Sequence, residues 1–247
     1  FLKNKVVAED TLTEIYKGQK LFGKQNIGKG KKIVIDFSSP NIAKPFGIGH
    51  LRSTIIGSSL YKVYNALGYD AFGVNHLGDW GTQFGKLIVA FGKWGSEKEL
   101  QKNPIKHLLE LYVKFHELAE KDKTLDDEAR AEFKRLEDGN KESLKLWEAF
   151  KKLSLEEFNR IYKILDVDFD SYHGERFYNN LLEGSTKELQ QKVKTTVSDG
   201  ALVVNLEKYN MPPFMLRKSD GASTYHTRDL TAVLYRLKKY RPEKIIY

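Results

Sequence analysis

The pattern of hydrophobic and polar positions near the start of the chain predicts a strand, a helix and a second strand. Residues 31–37 run into an apolar, β-branched segment without turn residues, which indicates a largely buried strand. Apolar residues then recur at helical spacing over about residues 48–67, and Gly68 is placed as a C-terminal stop. Residues 69–77 have the pattern of another strand. This order predicts a right-handed parallel unit of the doubly wound kind.

A charge-rich stretch and a short return to the sheet follow this unit. Between residues 93 and 165, apolar residues at helical intervals among charged ones predict several helices. Two β-like segments, 195–197 and 201–204, surround a turn and predict a hairpin. A helix over about residues 229–240 and a strand from Lys244 come last. The predicted fold is α/β: an incomplete, doubly wound parallel nucleotide-binding sheet with a largely helical insertion.

The loop between the first strand and the first helix has the composition of a phosphate-binding segment. Residues 38–54 bring glycines, Lys44 and His50 together where a strand leads to a helix N-terminus. Helix N-termini present free backbone N–H groups and a positive dipole end, so they are common anion sites. Ligands of doubly wound sheets bind beyond the carboxyl ends of the strands, where this loop lies. The pattern therefore indicates nucleotide chemistry.

Charge is unevenly distributed along the chain. The formal net charge is +8, and residues 1–32 and 217–247 each carry +5, whereas residues 93–163 are neutral. A polyanion such as RNA would be attracted to the basic ends, although solvated lysines explain the same excess. The absence of cysteine excludes disulfides and thiolate metal sites and fits the cytoplasm. No apolar run approaches about 18 residues, so neither a membrane span nor a signal peptide is predicted.

Three motifs together resemble the arginyl-tRNA synthetases, which are class I aminoacyl-tRNA synthetases. The motifs are residues 38–54, residues 75–85 and residues 218–229, and their order and spacing also match. The resemblance implies a Rossmann-like catalytic domain and an arginine–tRNA ligase activity, in which ATP activates L-arginine to arginyl-adenylate before transfer to tRNA(Arg). It implies ATP as a substrate, accompanied by Mg²⁺. The composition makes the cytoplasm the expected location. We also expect a monomer.

The resemblance divides the chain into four parts. Residues 1–32 would be the tail of an N-terminal domain with a linker, and residues 33–92 the first half of the catalytic nucleotide-binding domain. Residues 93–216 would form the connective insertion, mainly helical with a small β part, and residues 217–247 the return to the catalytic domain. Because the last strand has just begun at residue 247, we expect the natural protein to continue. Little activity is expected from these residues alone.

The loop residues implied in ATP binding are Lys44, Gly47, Gly49 and His50, of which Lys44 and His50 would be catalytic. Gly47 stands where the family's His-x-Gly-His signature has its first histidine. Glycine still lets backbone N–H groups approach an anion, and Lys44 is expected to supply the missing phosphate contact. Two simpler interpretations remain open: Lys44 is a surface lysine, and His50 only caps the helix.

Selecting arginine requires carboxylates, because a guanidinium presents a rigid fork of donors that a carboxylate engages bidentately. The arginine-binding residues implied by the resemblance are Asp36, Ser39, Pro40, Asn41, His50, Tyr225 and Asp229. Asp229 and Tyr225 would hold the guanidinium. They share a helix face only if the helix begins before Thr227. Asp229 has a simpler interpretation as an N-terminal helix residue favoured by the helix dipole.

Other polar residues are given structural roles. Asp79 is expected to cap the next helix with Trp80 packed below it, and His76 follows a strand whose end faces the expected site. The remaining histidines have no ligand-like spacing, so neither zinc nor another protein-bound metal is predicted. Two alternative functions stay open: another adenylate-forming nucleotidyl transferase on the same sheet, and a catalytically silent RNA-binding module.

Overall fold

The computed structural model describes residues 3–219, 221 and 223–247. The helices are α1 (Asn4–Gly18), α2 (Ile48–Ala66), α3 (Thr82–Trp94), α4 (Glu97–Lys102), α5 (Pro104–Lys121), α6 (Thr124–Glu137), α7 (Lys141–Leu165), α8 (Leu182–Lys192) and α9 (Tyr225–Tyr240). The strands are β1 (Lys32–Asp36), β2 (Asp70–Val74), β3 (Thr195–Ser198), β4 (Ala201–Val204), β5 (Phe214–Arg217) and β6 (Lys244–Ile246). Short 3-10 segments occupy Gln19–Leu21, Glu175–Leu181 and Glu207–Tyr209.

Some sequence expectations fall on positions outside this description. These positions are Phe1 and Leu2 of the predicted first part, and Asp220 and Ala222 of the third motif. None of the helices in the described ranges is long and apolar enough to cross a lipid bilayer.

A parallel sheet in the order β2-β1-β6 places the ends of its strands at one edge. β1 lies in the centre, and its three middle residues, Ile33, Val34 and Ile35, are buried. A short apolar run is expected for a strand covered on both faces, so the α/β prediction is confirmed. α2 follows β1 and covers one face, where Gly57 permits close packing because a Cβ there would lie 2.2 Å from the Cβ of Phe37.

The second strand is shorter than predicted. β2 ends at Val74, whereas the apolar pattern extends to Leu77. The chain leaves the sheet there because the Asn75 N–H donates to the Ser171 carbonyl, at 2.8 Å, and the Asn75 side chain bonds the loop after β1. The edge beyond β2 is thereby built from loops that carry polar groups.

Helices α4 to α7 lie in residues 93–165, where the sequence predicted several helices, and α7 packs against the loops of the sheet. Asn140 caps α7 by accepting the N–H groups of Glu142 and Ser143, and Asp166 ends the helix in the left-handed conformation. Its apolar stripe includes Phe150 and Phe158, both fully buried. The same stripe joins the core cluster that contains the buried residues of β1. The insertion and the sheet therefore share one hydrophobic core.

A small antiparallel sheet in the order β3-β4-β5 follows the insertion. The predicted hairpin is confirmed, and its two-residue turn has positive φ at Asp199 (49°) and Gly200 (78°), as primed turns require. β5 was not predicted, because two prolines directly precede it.

The last helix begins four residues before its predicted start. α9 runs from Tyr225, because the Thr224 side chain accepts the N–H of Thr227 and caps the helix. Tyr225 and Asp229 thus lie one turn apart on α9, which was the condition for their sharing a face.

The prediction that Asp79 caps α3 is wrong. The N-cap of α3 is Gly81, without a side-chain bond. The fully buried Asp79 carboxylate instead accepts from Lys151 Nζ of α7, at 2.6 Å, and from the Arg176 N–H, at 2.9 Å. Its carbonyl accepts the indole N–H of Trp147 at 2.7 Å. Asp79 therefore joins the insertion to the sheet. Trp80 is buried beside it, as predicted.

Replacing Asp79 with alanine is expected to lower the free energy of unfolding by about 3 kcal/mol, because Lys151 and a backbone N–H lose a buried anionic partner. Urea unfolding followed by circular dichroism measures the change. Asp127→Ala is the matched control, since the ion pair of Asp127 with Arg130 is solvent-exposed and Asp127 has ordinary helical backbone. Equal unfolding midpoints for the two variants would contradict this role of Asp79.

Candidate functional site

A cavity of about 590 Å³ lies at the carboxyl edge of the parallel sheet, between the loop after β1, α2 and α9. Ligands of doubly wound sheets bind at this edge. Most of its lining surface is apolar and comes from residues such as Phe37, Leu230 and Val233. Its polar residues are Asp36, Ser38, Ser39, Ser53, His76, His226, Asp229 and Arg236.

A buried ion pair forms one wall of the cavity. Arg236 Nη1 lies 2.7 Å from Asp36 Oδ2, and the two side chains are only 1% and 9% exposed. The same nitrogen donates to the Tyr247 hydroxyl at 3.1 Å. The pair joins the end of β1 to α9 and to the residue after β6. Because Asp36 is neutralised in this way, its charge is largely unavailable to a cationic ligand.

His76 extends this network with a neutral imidazole. Burial lowers the pKa of His76, and nearby Arg236 lowers it further against the opposing effect of Asp36. Arginine can only donate, so the 3.3 Å contact from Arg236 Nη2 makes Nδ1 the acceptor and places the proton on Nε2. Among the described residues, the buried Nε2 has no hydrogen-bond partner. His76 lines the cavity, and its Nε2–H is a hydrogen-bond donor that a ligand could use.

Asp229 is the carboxylate of the cavity that remains unpaired. Its side chain is exposed to solvent, and the ion pairs of the described residues include none with Asp229. Burial raises the pKa of Asp229, His76 opposes the rise, and Asp36 adds to it. A cationic ligand would relieve this electrostatic penalty, because an opposite charge nearby favours the ionised carboxylate.

The loop after β1 has an unusual backbone. Ser38 (φ 72°) and Ser39 (φ 50°) are consecutive non-glycine residues in the left-handed region, and Ala43 (φ 62°) is a third. Such a conformation costs about 1–2 kcal/mol per residue. The Ser39 hydroxyl donates to Asp36 Oδ1 at 2.8 Å. The loop thereby presents Ser38 and Ser39 to the cavity next to the ion pair.

The N-terminus of α2 has open space beside it. Gly47 and Gly49 have ordinary negative φ, and a Cβ at either would meet no protein atom within 4 Å. Neither folding strain nor packing in the described residues explains these glycines. First-turn N–H groups lack intrahelical partners, and the space beside them suits an anionic ligand.

His50 caps this helix, as the simpler interpretation predicted. Its Nδ1 accepts the N–H of Gly47 at 3.1 Å, as in a capping box. Burial lowers the pKa of His50, so the ring is neutral at pH 7 with its proton on Nε2. This tautomer leaves Nε2–H as a donor for a ligand, and capping does not exclude a substrate contact.

Lys44 lies outside the lining of the cavity. Its ammonium stands 5.1 Å from the ring centre of Tyr112 in α5, a cation–π contact with the insertion. The structure thus gives Lys44 a partner that its sequence context did not indicate. Its catalytic and ATP-binding roles stay predictions.

Asp36, Ser39 and Asp229 are the predicted arginine-binding residues that the cavity brings together. Pro40 is buried, and Asn41 forms a backbone bridge to Gly78 between the two loops. Tyr225 is 62% exposed, and its ring lies 3.8 Å from that of His226, a lining residue. None of these last three side chains lines the cavity.

Sequence reasoning missed Arg236, Tyr247 and His226. Arg236 lies seven residues after Asp229, two turns along the same helix face, among the small apolar residues Ala232 and Val233. A cation in an apolar helix stripe signals a buried partner, but the sequence does not identify that partner as Asp36, 200 residues earlier.

Within residues 3–219, 221 and 223–247, no group of three or more His, Cys, Asp or Glu side chains is placed to hold a metal ion.

The family model and the most similar relatives that match this chain all name the same family. Residues 11–247 match the family described as tRNA synthetases class I (R), catalytic domain. The chain is 51% identical to an arginine–tRNA ligase of Halothermothrix orenii over 247 residues, covering 100% of this chain and 44% of that protein. It is 53% identical to the arginine–tRNA ligase of Clostridium acetobutylicum over 240 residues, covering 97% of this chain and 43% of that protein. The chain thus spans less than half the length of these relatives.

The solved structures that are similar to this chain also include arginyl-tRNA synthetases. The arginyl-tRNA synthetase of Plasmodium falciparum superposes with a TM-score of 0.75 at 31% identity, over 90% of this chain and 37% of that one. The Thermus thermophilus arginyl-tRNA synthetase superposes with a TM-score of 0.66 at 18% identity, over 92% of this chain and 39% of that one, and supports the fold alone.

Glu175 is expected to make stability pH-dependent. Burial raises its pKa to about 7, Arg228 opposes the rise, and Asp79 and Asp229 add to it. Because the folded state holds this proton more tightly than the unfolded chain, the free energy of unfolding should fall as the pH rises from about 4.5 to 7 and then level off. Glu175→Gln should flatten that part of the profile, measured by urea unfolding at several pH values. A profile with unchanged slope would contradict the assignment.

Proposed function

The chain belongs to the arginyl-tRNA synthetases of class I, and from this membership we propose that it binds L-arginine and ATP and forms arginyl-adenylate within a longer arginine–tRNA ligase. The complete reaction would then transfer the arginyl group to the terminal ribose of tRNA(Arg). The basic ends of the chain support an RNA partner.

The observation that carries this proposal is the unpaired carboxylate of Asp229 in a cavity whose other carboxylate, Asp36, is already neutralised. A guanidinium suits Asp229 because a carboxylate accepts its two parallel N–H donors. The ammonium of lysine lacks that fork. Ser39 would bind the backbone groups of the amino acid, with Pro40 and Asn41 shaping the loop and Tyr225 closing the guanidinium end.

The chemistry requires alignment and charge stabilisation, and no protein nucleophile. One carboxylate oxygen of arginine attacks the α-phosphorus of ATP, the new P–O bond forms, and the bond to pyrophosphate breaks. The open space at Gly47 and Gly49 supports phosphate binding at the N-terminus of α2, with His50 Nε2–H and Lys44 as further donors. Mg²⁺ would arrive with the ATP phosphates and neutralise part of their charge.

We also propose that the protein is a monomer that acts in the cytoplasm. The boundaries between its four parts would lie after residues 32, 92 and 216. The lack of cysteine supports a reducing compartment. In this division β2 and all of β1 except Lys32 lie in the second part, and β6 lies in the last part, so these two parts together build the cavity edge.

Asp229→Asn is expected to weaken L-arginine binding about tenfold or more, because a charged hydrogen-bond acceptor for the guanidinium is lost. Isothermal titration of this chain with L-arginine, and with L-lysine for comparison, measures the effect. Asp199→Asn is the matched control, since Asp199 is an exposed carboxylate in the β3–β4 turn. Equal arginine affinities of the two variants, or equal binding of arginine and lysine by the unmodified chain, would contradict the proposal.

Gly49→Ala is expected to weaken ATP binding about fivefold or more while leaving stability unchanged or slightly higher, since its Cβ meets no protein atom and alanine favours helix. Gly57→Ala should instead destabilise the fold by about 1–3 kcal/mol through overpacking against Phe37. ATP titration and thermal unfolding separate the two effects. Unchanged ATP affinity in Gly49→Ala would overturn the proposed nucleotide position.

A further inference from the structure

The left-handed backbone of Ser38 and Ser39 is held by side chains that lie outside the cavity. Two successive L residues at φ 72° and 50° do not adopt this conformation without support. Ser38 and Ser39 line the cavity beside Asp36, so the shape of this wall depends on whatever maintains the turn.

Tyr162 of α7 is the centre of that support. Its hydroxyl lies 2.7 Å from the Ser38 hydroxyl and accepts from the Asn75 amide at 3.0 Å. Asn75 Oδ1 in turn accepts the N–H of Ser39 at 3.1 Å. Because the Asn75 amide donates to the Tyr162 oxygen, the Tyr162 proton is available for Ser38. Burial raises the pKa of Tyr162 to about 12, against the effect of its bonds to Ser38 and Asn75, so that proton stays in place at neutral pH.

The same helix also holds the far end of the loop. Ser154, two turns before Tyr162, accepts the N–H of Ala43 at 3.0 Å, and Ala43 is the loop's third left-handed residue. Tyr162 is 2% exposed and its ring packs edge-on against Phe46 and Phe169, which fixes the direction of its hydroxyl. Tyr162 itself is not among the residues that line the cavity.

We propose that Tyr162 is a positioning residue for the amino-acid ligand: through Ser38 and Asn75 it holds the strained turn that presents Ser38, Ser39 and Asp36 to the cavity. The inference rests on the proposed function, because it assumes that arginine occupies this cavity. It adds a residue of the helical insertion, 124 positions from Ser38, to the determinants of amino-acid binding.

Tyr162→Phe tests this proposal, since it removes one hydroxyl and keeps the packed ring. Titration of the chain with L-arginine should show affinity reduced about three- to tenfold, the worth of one or two buried hydrogen bonds, while affinity for ATP stays unchanged. Tyr172→Phe is the matched control. Its hydroxyl bonds Asn159, at 3.2 Å, within the insertion, and its removal should change neither affinity.

A second variant separates positioning from general stability. Ser38→Ala removes the hydroxyl that bonds Tyr162. The double variant Ser38→Ala/Tyr162→Phe should therefore have about the same arginine affinity as whichever single variant binds arginine less tightly. Fully additive losses, equal losses of arginine and ATP affinity, or unchanged arginine affinity in Tyr162→Phe would each overturn the proposal. An unmodified chain that binds ATP but no arginine would instead contradict the proposed function, and the inference would fall with it.

Discussion

The buried ion pair between Asp36 and Arg236 is the constraint on which the cavity depends. Two charges at 1% and 9% exposure are stable only together, so the end of β1 and the face of α9 must meet at this point. Tyr247 and His76 accept further hydrogen bonds from the two terminal nitrogens of the guanidinium. The pair neutralises the charge of Asp36, so Asp229 carries the uncompensated negative charge of the cavity.

Around this pair, the structure separates two kinds of binding surface. The side of α9 offers a carboxylate in a partly apolar cavity, which suits an organic cation. The side of α2 offers a helix N-terminus with open space beside Gly47 and Gly49, which suits an anion. An amino acid and a triphosphate are such a pair of ligands. The helical insertion bonds the loops at this edge of the sheet, through Tyr162 and Ser154 to the loop after β1 and through Lys151 to the loop after β2.

Local patterns in the sequence predicted the elements whose period is strong, including β1, α2 and the β3–β4 hairpin. The local patterns did not predict the role of a side chain whose partner lies far away in the sequence. Asp79 has the sequence position of a helix cap, but its carboxylate instead accepts a hydrogen bond from Lys151, 72 residues later. Arg236 is unremarkable as one basic residue of a helix until Asp36 is placed beside it. The motif residues Asp36, Ser39 and Asp229 came from resemblance, whereas the unpaired state of Asp229 required coordinates.

A crystal structure of this chain with bound L-arginine would show directly which carboxylate binds the guanidinium. We expect the guanidinium of the ligand to lie against the carboxylate of Asp229, with the Arg236–Asp36 pair intact and the ligand's carboxylate directed towards the N-terminus of α2. A ligand outside the cavity, or one whose guanidinium displaces Arg236 from Asp36, would contradict this expectation.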